Sequence, residues 1–576
     1  MERRVFVAIL LSFAVLYGYQ ALFVPPQKPA IDVVEPKEKP AQTAPEATPR
    51  VVETPPPSET EPAAQISESA EREIVVETAT SEVVLTNRGG LILHWGLKDY
   101  RDAQGKPVDL VPSDVPADQA KPFTLVVDDP ALTRRLNTVI FRVSGDSGGR
   151  INASQQAATV TFEYVDAAGL RVRKDFRFDP KNYVVAFSAE VMNGDRALNP
   201  TIAWGPGLGD AGATAGGGSF FTGNYVQPPQ AIYELNGDVE RINASKVVEQ
   251  PAHEGSFRFA GVDDHYFLAA AVNPGNARLE YKPVTLPGPE KTQRQLLAQT
   301  IRLPQSPKNV RFFVGPKQFD VLQSVDQQLV WAISFGTFRF LAVPLLTSLK
   351  WVHSFLGNYG WSIILLTIII NLLIFPLRHK SLVSMRKMQA LQPQLKAIQD
   401  RYAGLKMTDP GRQKMQTEIM GLYKEKGVNP ASGCIPMLLT LPVLFAFYSL
   451  LSQAIELRGA SFGWWIKDLS EHDPLYITPV LMGLTMFWQQ KVTPSTADPA
   501  QQRVMMMMPL MFGFMFLWAP SGLVLYWFVG NLFAIGQQYF TNWWIGPPQV
   551  ATVRPPAERR LKNAGSGRTA GAENKN

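Results

Sequence analysis

A single amide interrupts a long apolar stretch of this chain: Asn371 lies within IIINLLIFPLRHK (368–380). Its side chain both donates and accepts hydrogen bonds. Polar groups inside apolar helices mark functional sites or join neighbouring helices. Two interpretations are therefore open. Either Asn371 belongs to a functional polar site, or it links two helices through a contact worth about 0.6 kcal/mol.

The other residues able to do chemistry are scattered. His94, His253 and His265 follow no metal-ligand spacing, although Asp263 and Asp264 precede the last of them. A histidine beside acids on a strand is more often an edge residue than a ligand. The Gly-rich run at 205–223 lacks the Lys–Ser/Thr ending of a phosphate loop, which favours a surface loop. We expect no catalytic site, metal or cofactor.

Composition and hydropathy place these residues in a membrane protein. The chain has 576 residues, is 45% hydrophobic and contains one cysteine, which excludes an internal disulfide framework. An apolar run at 5–23 follows Arg3 and Arg4 and lacks a cleavage site, so we favour a retained signal anchor over a cleaved signal peptide. Together with this anchor, the apolar runs predict six spans: 5–23, 359–377, 432–453, 474–490, 504–519 and 521–540.

The charge of the loops fixes the orientation of these spans. Between Arg378 and Lys426 the chain carries eleven Lys and Arg residues against four acids, so this segment is predicted to be cytoplasmic. The basic tail, 546–576, then also lies inside, with both termini cytoplasmic. The large segment between the first two spans is exported.

The exported segment divides by composition and period. Residues 1–23 form the anchor span, and 24–71 are rich in Pro, Glu, Ala and Thr, which predicts a disordered linker. Short alternating runs from 72 to 318 predict an all-β sandwich, with a turn at the Asn87-to-Gly90 stretch. Residues 319–358 predict an interfacial amphipathic helix and a connection into the core, 359–545.

A charged segment, 380–428, joins the second and third spans. Apolar residues spaced three and four apart flank Asp409-Pro410-Gly411 and predict a helical hairpin, with Pro393 kinking or restarting the first helix. A solvated spacer is an equally weighted interpretation. Its basic face suits anionic lipid headgroups, ribosomal RNA or an acidic partner. The basic residues concerned are Arg386, Lys387, Lys396, Arg401, Arg412 and Lys414.

The fifth span is short and rich in methionine. It contains Pro509 and the run Met505 to Met508. Methionine side chains form flexible, polarizable surfaces, and short spans thin the bilayer. By residue type alone, the favoured interpretation is that these methionines face lipid and have no specific role.

Several motifs together resemble the YidC/Oxa/Alb family of membrane protein insertases. The resemblance rests on NYGWSIILLTIII, FPL, SMRKMQALQPQL, LYKEKGVNPASGCIPMLLTLPVLFAFYSLL, ELRGASFGWWIKDLSEHDPLYITPVLMG and PSGLVLYWFVGNL, and it covers 320–545. The anchor, the linker and the sandwich, including LTNRGGLILHWGLKDY, resemble the Gram-negative form of the family. The fold class implied is a multi-pass α-helical membrane protein of six spans. It has a five-helix core with a hydrophilic groove and a large periplasmic sandwich.

The resemblance also implies roles for individual residues. The family places an arginine in the groove, five residues before the proline of F/Y-P-L, where this chain has Asn371. An amide cannot attract acidic segments by charge. It can still hold water, and its desolvation costs less than that of a guanidinium. The implied groove residues are Thr367, Asn371, Thr440, Tyr526 and Trp527, and the implied apolar slide for substrates includes Met508, Met511 and Met515.

The function implied is insertion and folding of newly made membrane proteins in the bacterial inner membrane, alone or with the Sec translocon. Nascent membrane proteins, the ribosome and lipids are the expected partners, and no small-molecule substrate is expected. A secondary transporter would require inverted repeats and intramembrane acids. A membrane-anchored periplasmic carbohydrate-binding or carbohydrate-processing protein is the remaining alternative.

Overall fold

The computed structural model describes nine stretches: residues 62–102, 104–112, 115–116, 119–208, 227–287, 293–402, 409–429, 435–493 and 499–546. The predicted anchor, most of the linker, most of the Gly-rich loop and the tail beyond 546 lie outside them. Except for 499–504, the described residues belong to one compact unit.

The first half of the described chain is built of strands, because its apolar residues alternate with polar ones at period two. A 14-stranded sheet contains the path β1-β9-β10-β11-β19-β17-β16-β14-β15, and a five-stranded sheet has the order β5-β4-β3-β2-β8. The strands are β1 (Ala64–Ile66), β2 (Glu73–Glu77), β3 (Ser81–Thr86), β4 (Leu91–Arg101), β5 (Pro107–Asp109), β6 (Thr124–Val126), β7 (Arg142–Ser144), β8 (Arg150–Asn152), β9 (Ala158–Asp166), β10 (Leu170–Phe178), β11 (Val184–Asn193), β12 (Arg196–Leu198), β13 (Thr201–Trp204), β14 (Gln230–Leu235), β15 (Asp238–Asn243), β16 (Ala252–Asp263), β17 (Phe267–Pro287), β18 (Gln293–Arg302) and β19 (Val310–Pro316).

Strand β10 shows how the sequence pattern sets the register. Its residues alternate between buried and outer positions, and it pairs with β11 from Leu170 opposite Asn193 to Phe178 opposite Val185. Phe178 contacts Trp95 of the second sheet, with 6.0 Å between ring centroids, so the two sheets pack face to face. The predicted sandwich is present. The predicted turn is also confirmed, since Gly89 and Gly90 between β3 and β4 have positive φ.

The predicted linker, 24–71, extends too far, because its last residues belong to the sandwich. Strand β1 pairs with β9, and Glu68 and Asp146 both lie 2.7 Å from the guanidinium of Arg72. Backbone pairing and these ion pairs order a segment whose composition alone predicts disorder.

The second half of the described chain is helical. The helices include two short ones within the sandwich, and all are named here in chain order: α1 (Pro130–Leu136), α2 (Ala244–Val247), α3 (Phe319–Val325), α4 (Arg339–Leu356), α5 (Tyr359–Ala390), α6 (Gln392–Arg401), α7 (Pro410–Glu425), α8 (Ile435–Gln453), α9 (Ile477–Val492), α10 (Pro499–Met515) and α11 (Ser521–Ile545). Among the described residues, α5 is the helix long and apolar enough to cross a membrane. Leu441–Gln453 and Met505–Trp518 are shorter apolar helices.

The segment predicted as an interfacial helix is broken rather than continuous. Helix α3 is followed by two short 3-10 turns, Leu329–Ala332 and Gly336–Phe338, before α4 begins. Gly336 has a φ of +62°, which ends the regular path and lets α4 start in a new direction.

The predicted helical hairpin is confirmed as α6 and α7. Leu395 and Ile398 of α6 pack against Ile419 of α7, as the three-four spacing requires. Pro393 lies in the first turn of α6, where proline is tolerated, so the chain restarts there after α5 ends. Two basic residues predicted for the hairpin, Arg386 and Lys387, lie in α5 instead, and Lys387 is exposed there. Arg386 is buried.

The sandwich and the helices share a continuous hydrophobic core. Nε2 of His265 lies 2.8 Å from the carbonyl oxygen of Ser452 near the end of α8. The Arg458 guanidinium stacks over the rings of Tyr266 and Phe267, at 5.0 and 5.1 Å from their centroids. These contacts hold the sandwich against the end of α8.

Candidate functional site

A ladder of polar side chains runs along one face of α5. The Thr367 hydroxyl donates to the carbonyl of Ile363 at 2.6 Å, and the Asn371 amide donates to the carbonyl of Thr367 at 2.8 Å. The Arg378 guanidinium then donates to the amide oxygen of Asn371, also at 2.8 Å. Residues seven apart lie two turns along the same helix face, which lets the long arginine side chain reach back.

These contacts show where the side chain of Asn371 is bound. It is buried, with 6% of its surface exposed. Both of its side-chain hydrogen bonds, to Thr367 and Arg378, remain within α5. A residue that joined two helices would instead bond to a neighbouring helix. The hydrogen bonds of Asn371 thus do not support the helix-linking interpretation.

Arg378 is one residue of the site that sequence reasoning missed. In the sequence, Arg378 indicates only the orientation of the membrane part, as one of several positive charges. The available signal was its spacing of seven residues from Asn371, just after Phe375-Pro376-Leu377. With Arg378 bonded to its oxygen, Asn371 lies next to a full positive charge, which an amide by itself does not supply.

A second polar stripe, on α11, faces α5 and α9. The Asn531 amide donates to the Thr485 hydroxyl at 3.3 Å, and the Gln537 amide donates to the carbonyl of Phe375 at 3.2 Å. Nδ1 of His379 lies 3.3 Å from the Thr541 hydroxyl. These contacts tie the half of α11 that follows Asn531 to the helices around the ladder. Sequence reasoning did not select any residue of this stripe.

The predicted groove residues of α11 point in different directions. Tyr526 is buried, stacks on Phe447 of α8 at 4.3 Å between centroids, and lies within electrostatic range of Arg378. Trp527 packs instead against Phe512 and Phe516, beside α10. The structure therefore brings Tyr526 near the ladder and directs Trp527 toward the methionine-rich helix. Thr440 lies in α8, and its side chain is outside the described part.

The methionines of α10 are partly exposed. Met508 and Met511 expose 44% and 49% of their surface, and Met515 is half-buried against the core. Pro509 lies inside the same helix. An apolar, adaptable surface is therefore available to lipid or to another apolar helix.

The six basic residues predicted for the hairpin differ in exposure. Lys387, Lys396, Arg401 and Lys414 are exposed, and Arg401 forms an ion pair with Glu418 at 2.8 Å. Arg412 is half-buried. Arg386 donates to the carbonyl of Gly546 at 2.9 Å. It thereby caps the end of α11 and takes no part in the hairpin surface.

A metal or catalytic centre has no support in the described part of the chain. No three His, Cys, Asp or Glu side chains come together there to hold a metal ion. In the sandwich, Nδ1 of His253 lies 3.1 Å from the Tyr233 hydroxyl, and both ring nitrogens of His265 have hydrogen-bond partners. Both rings are thus engaged in structural contacts.

Fold and site together define a helical membrane protein that carries a large β-sandwich domain. Comparison with known proteins identifies its family. Residues 351–546 match the family model of the 60Kd inner membrane protein, and residues 73–348 match that of the YidC periplasmic domain. A relative from Geobacter metallireducens, described as membrane protein insertase YidC, is 35% identical over 566 residues, covering 94% of this chain and 98% of that one. One from Maridesulfovibrio salexigens, with the same description, is 34% identical over 558 residues, covering 93% and 98%.

The chain therefore belongs to the YidC family of membrane protein insertases. Among solved structures, an active YidC insertase is 20% identical, with a TM-score of 0.34, and the match covers 83% of this chain and 95% of that one. A galactose mutarotase-like protein from Lactobacillus casei matches 42% of this chain and 100% of its own length, with 11% identity and a TM-score of 0.25. The family relationship does not favour the carbohydrate alternative.

Proposed function

We propose that this chain inserts newly made proteins into the bacterial inner membrane, alone or with the Sec translocon. In this proposal the anchor, α5, α8, α9, α10 and α11 make six spans, and the last five form the insertase core. Both termini and the α6–α7 hairpin are cytoplasmic, and the sandwich is periplasmic. The family relationship over 94% of the chain supports this function.

The observation that carries the mechanism is the ladder Thr367–Asn371–Arg378. A charge in the middle of a membrane costs about 2.5–3.5 kcal/mol on insertion scales, and each unsatisfied backbone group costs several more. A polar face inside the bilayer lowers that cost for an incoming tail. In the proposed groove, the fully buried Thr367 positions Asn371, the amide of Asn371 meets water, and Arg378 attracts acidic side chains.

Apolar segments need a different path. Met508 and Met511 expose adaptable side chains on α10, and Met515 and Trp527 continue toward the core. We assign this surface to the transmembrane part of the substrate, which slides along it into lipid. Partitioning into lipid and the membrane potential drive the process, so no nucleotide is required.

The exposed cations of the hairpin and of the adjoining end of α5 supply a contact for partners. Lys387, Lys396 and Lys414 are exposed. At this cytoplasmic position they suit an anionic surface, such as ribosomal RNA or lipid headgroups. The basic tail would add to that contact.

Depletion of the protein in its host tests this function. Small membrane proteins with short exported tails should remain accessible to protease on the wrong side when the protein is absent. Expression of the intact chain should restore their insertion. Unchanged insertion in depleted cells would contradict the proposal.

A further inference from the structure

A groove of about 550 Å³ lies where α3 approaches the start of α4. Its wall contains Gln323, Gln327, Trp331, Arg339, Phe340 and Val343. It therefore combines one cation, two amides and an apolar side. The segment that forms it, 319–358, was predicted as an interfacial amphipathic helix and a connection, and the groove lies where the chain bends between α3 and α4.

Arg339 is the charged residue of this groove, and its charge is not neutralised. Its guanidinium stacks over the Trp331 ring at 4.9 Å and donates to the carbonyl of Ile333 at 3.3 Å. Within the described ranges it has no carboxylate partner. One of its five N–H donors is used, which leaves the others for a ligand.

The charged groups around Arg339 are engaged with other partners. Burial and the neighbouring Arg241 lower the pKa of Arg339. Arg241 is itself held by the carbonyls of Trp331 and Ala332, at 3.2 and 2.8 Å, and forms an ion pair with Asp263 at 3.9 Å. Of the nearby acids, Asp320 pairs with Lys350 and Asp326 accepts a hydrogen bond from Asn273.

Two amides complete the polar side of the groove. In the described part of the chain, the side chains of Gln323 and Gln327 make no hydrogen bond to another protein group. Each carries two donors and a carbonyl acceptor. Amides of this kind can bind hydroxyl and ester oxygens beside a phosphate.

The apolar side of the groove continues along α4. Phe340 exposes 68% of its surface, and farther along the same helix Trp351 and Phe355 expose 63% and 71%. Helix α4 ends just before α5, the helix long enough to cross a membrane. Exposed aromatic side chains at this position are typical of the headgroup level of a bilayer. The groove therefore opens where lipid headgroups lie.

We propose that this groove binds a phospholipid from the leaflet on the sandwich side of the membrane. Arg339 would bind the phosphodiester, Gln323 and Gln327 the glycerol and ester oxygens, and Phe340 and Val343 the first part of an acyl chain. This site is separate from the ladder in α5 and does not depend on the insertion mechanism.

Native mass spectrometry of the full-length protein, delipidated in detergent and titrated with phosphatidylglycerol, tests the proposal. We expect Arg339→Gln to lower the affinity for one bound phosphatidylglycerol about tenfold, the loss typical of one charge-assisted contact. Lys350→Gln is the matched control. It removes a cation from the same helix, but one that Asp320 already neutralises. Arg339→Lys should retain part of the affinity.

Three outcomes would overturn the proposal. The first is equal retention of phosphatidylglycerol by the parent protein and Arg339→Gln. The second is equally tight binding of diacylglycerol, which lacks the phosphate. The third is a partner protein in the groove, detected when Phe340→Cys in a Cys434→Ser background crosslinks to another chain in membranes. If Arg339→Gln does not fold, Gln327→Leu replaces it, with a smaller loss of affinity expected.

Discussion

Asn371 accepts a hydrogen bond from Arg378, which lies two helical turns farther along α5. Alone, an amide in an apolar helix is compatible with several roles, and its type does not distinguish them. The hydrogen bond from the Arg378 guanidinium to its oxygen supplies the missing information. The sequence permits selection of Asn371 because it is polar inside an apolar run. It does not permit selection of Arg378, because an arginine at the end of a span ordinarily indicates only topology.

Exchange of the two residues tests whether the charge itself is needed. Arg378→Gln should reduce insertion of substrates with acidic tails by roughly tenfold, the value of one charged contact. Insertion of substrates with neutral tails should change little. The double variant Asn371→Arg/Arg378→Gln should restore insertion of substrates with acidic tails, because it returns a guanidinium to the ladder. Insertion is measured by protease protection in depleted cells. Lys380→Gln, at an exposed position, serves as the control. A double variant as defective as Arg378→Gln would show that Arg378 acts only through packing.

Lys174 is a second residue whose role the sequence did not indicate. It occupies an inward position of β10 where the alternation favours an apolar side chain. Its ammonium donates to the carbonyls of Gly89 and Phe123 at 2.6 and 3.1 Å. Burial lowers the pKa of this lysine to about 7 from an ordinary value of 10.5. It thus joins β10 to the turn between β3 and β4.

The stability of the sandwich should therefore rise with pH. Between pH 7 and 10.5 the unfolded chain binds more protons at Lys174 than the folded chain, so the free energy of unfolding increases by up to about 1.4 kcal/mol per pH unit. Amide hydrogen-exchange protection of β10 in the full-length protein, corrected for the intrinsic rate, measures this slope. Lys174→Met should remove it, and Lys181→Met, at an exposed position, should keep it. An unchanged slope in Lys174→Met would assign the pH dependence to other groups.

At the scale of elements, regular periodicity was the most informative signal. The hairpin α6–α7 and the strands β9 and β10 follow from apolar spacing, because each buries one face against its partner. The predictions were wrong where a tertiary contact outweighs composition. Strand β1 is held by pairing with β9, and the break between α3 and α4 depends on Gly336. Neither has a periodic signature.

Arg386 connects α5 to the end of α11. Its bond to the carbonyl of Gly546 satisfies the end of α11, where the helix dipole also favours a cation. Arg386→Ala should lower the free energy of unfolding by about 1.5–3 kcal/mol, the range for hydrogen bonds to charged groups. Thermal unfolding in detergent measures the change. Lys387→Ala, the exposed neighbour, should stay within about 0.5 kcal/mol of the parent. Equal effects of the two substitutions would exclude a specific cap.

At the scale of the whole molecule, the sandwich and the helices share one hydrophobic core. The sequence predicts both parts, since each has its own period. It does not predict their contact, because His265, Tyr266 and Ser452 are remote in sequence and form no motif. Here the contact is specific: an imidazole nitrogen lies 2.8 Å from a helix-end carbonyl, and an arginine stacks on two rings. The sandwich therefore stabilises one end of the helical core.

Removal of the sandwich should lower the stability of the helical core but leave insertion intact. The ladder lies entirely within α5 and the methionine surface within α10, so a variant in which a flexible linker replaces 62–316 should still insert acidic-tailed substrates. Its core should unfold at a lower temperature, because the carbonyl of Ser452 and the guanidinium of Arg458 lose their partners. Arg458→Ala should lower the unfolding temperature less and leave insertion unchanged, since the sandwich and the bond from His265 remain. Protease protection and thermal unfolding of the purified variants measure the two effects. If the deletion variant has a normally folded core and yet fails to insert, the sandwich takes a direct part in insertion.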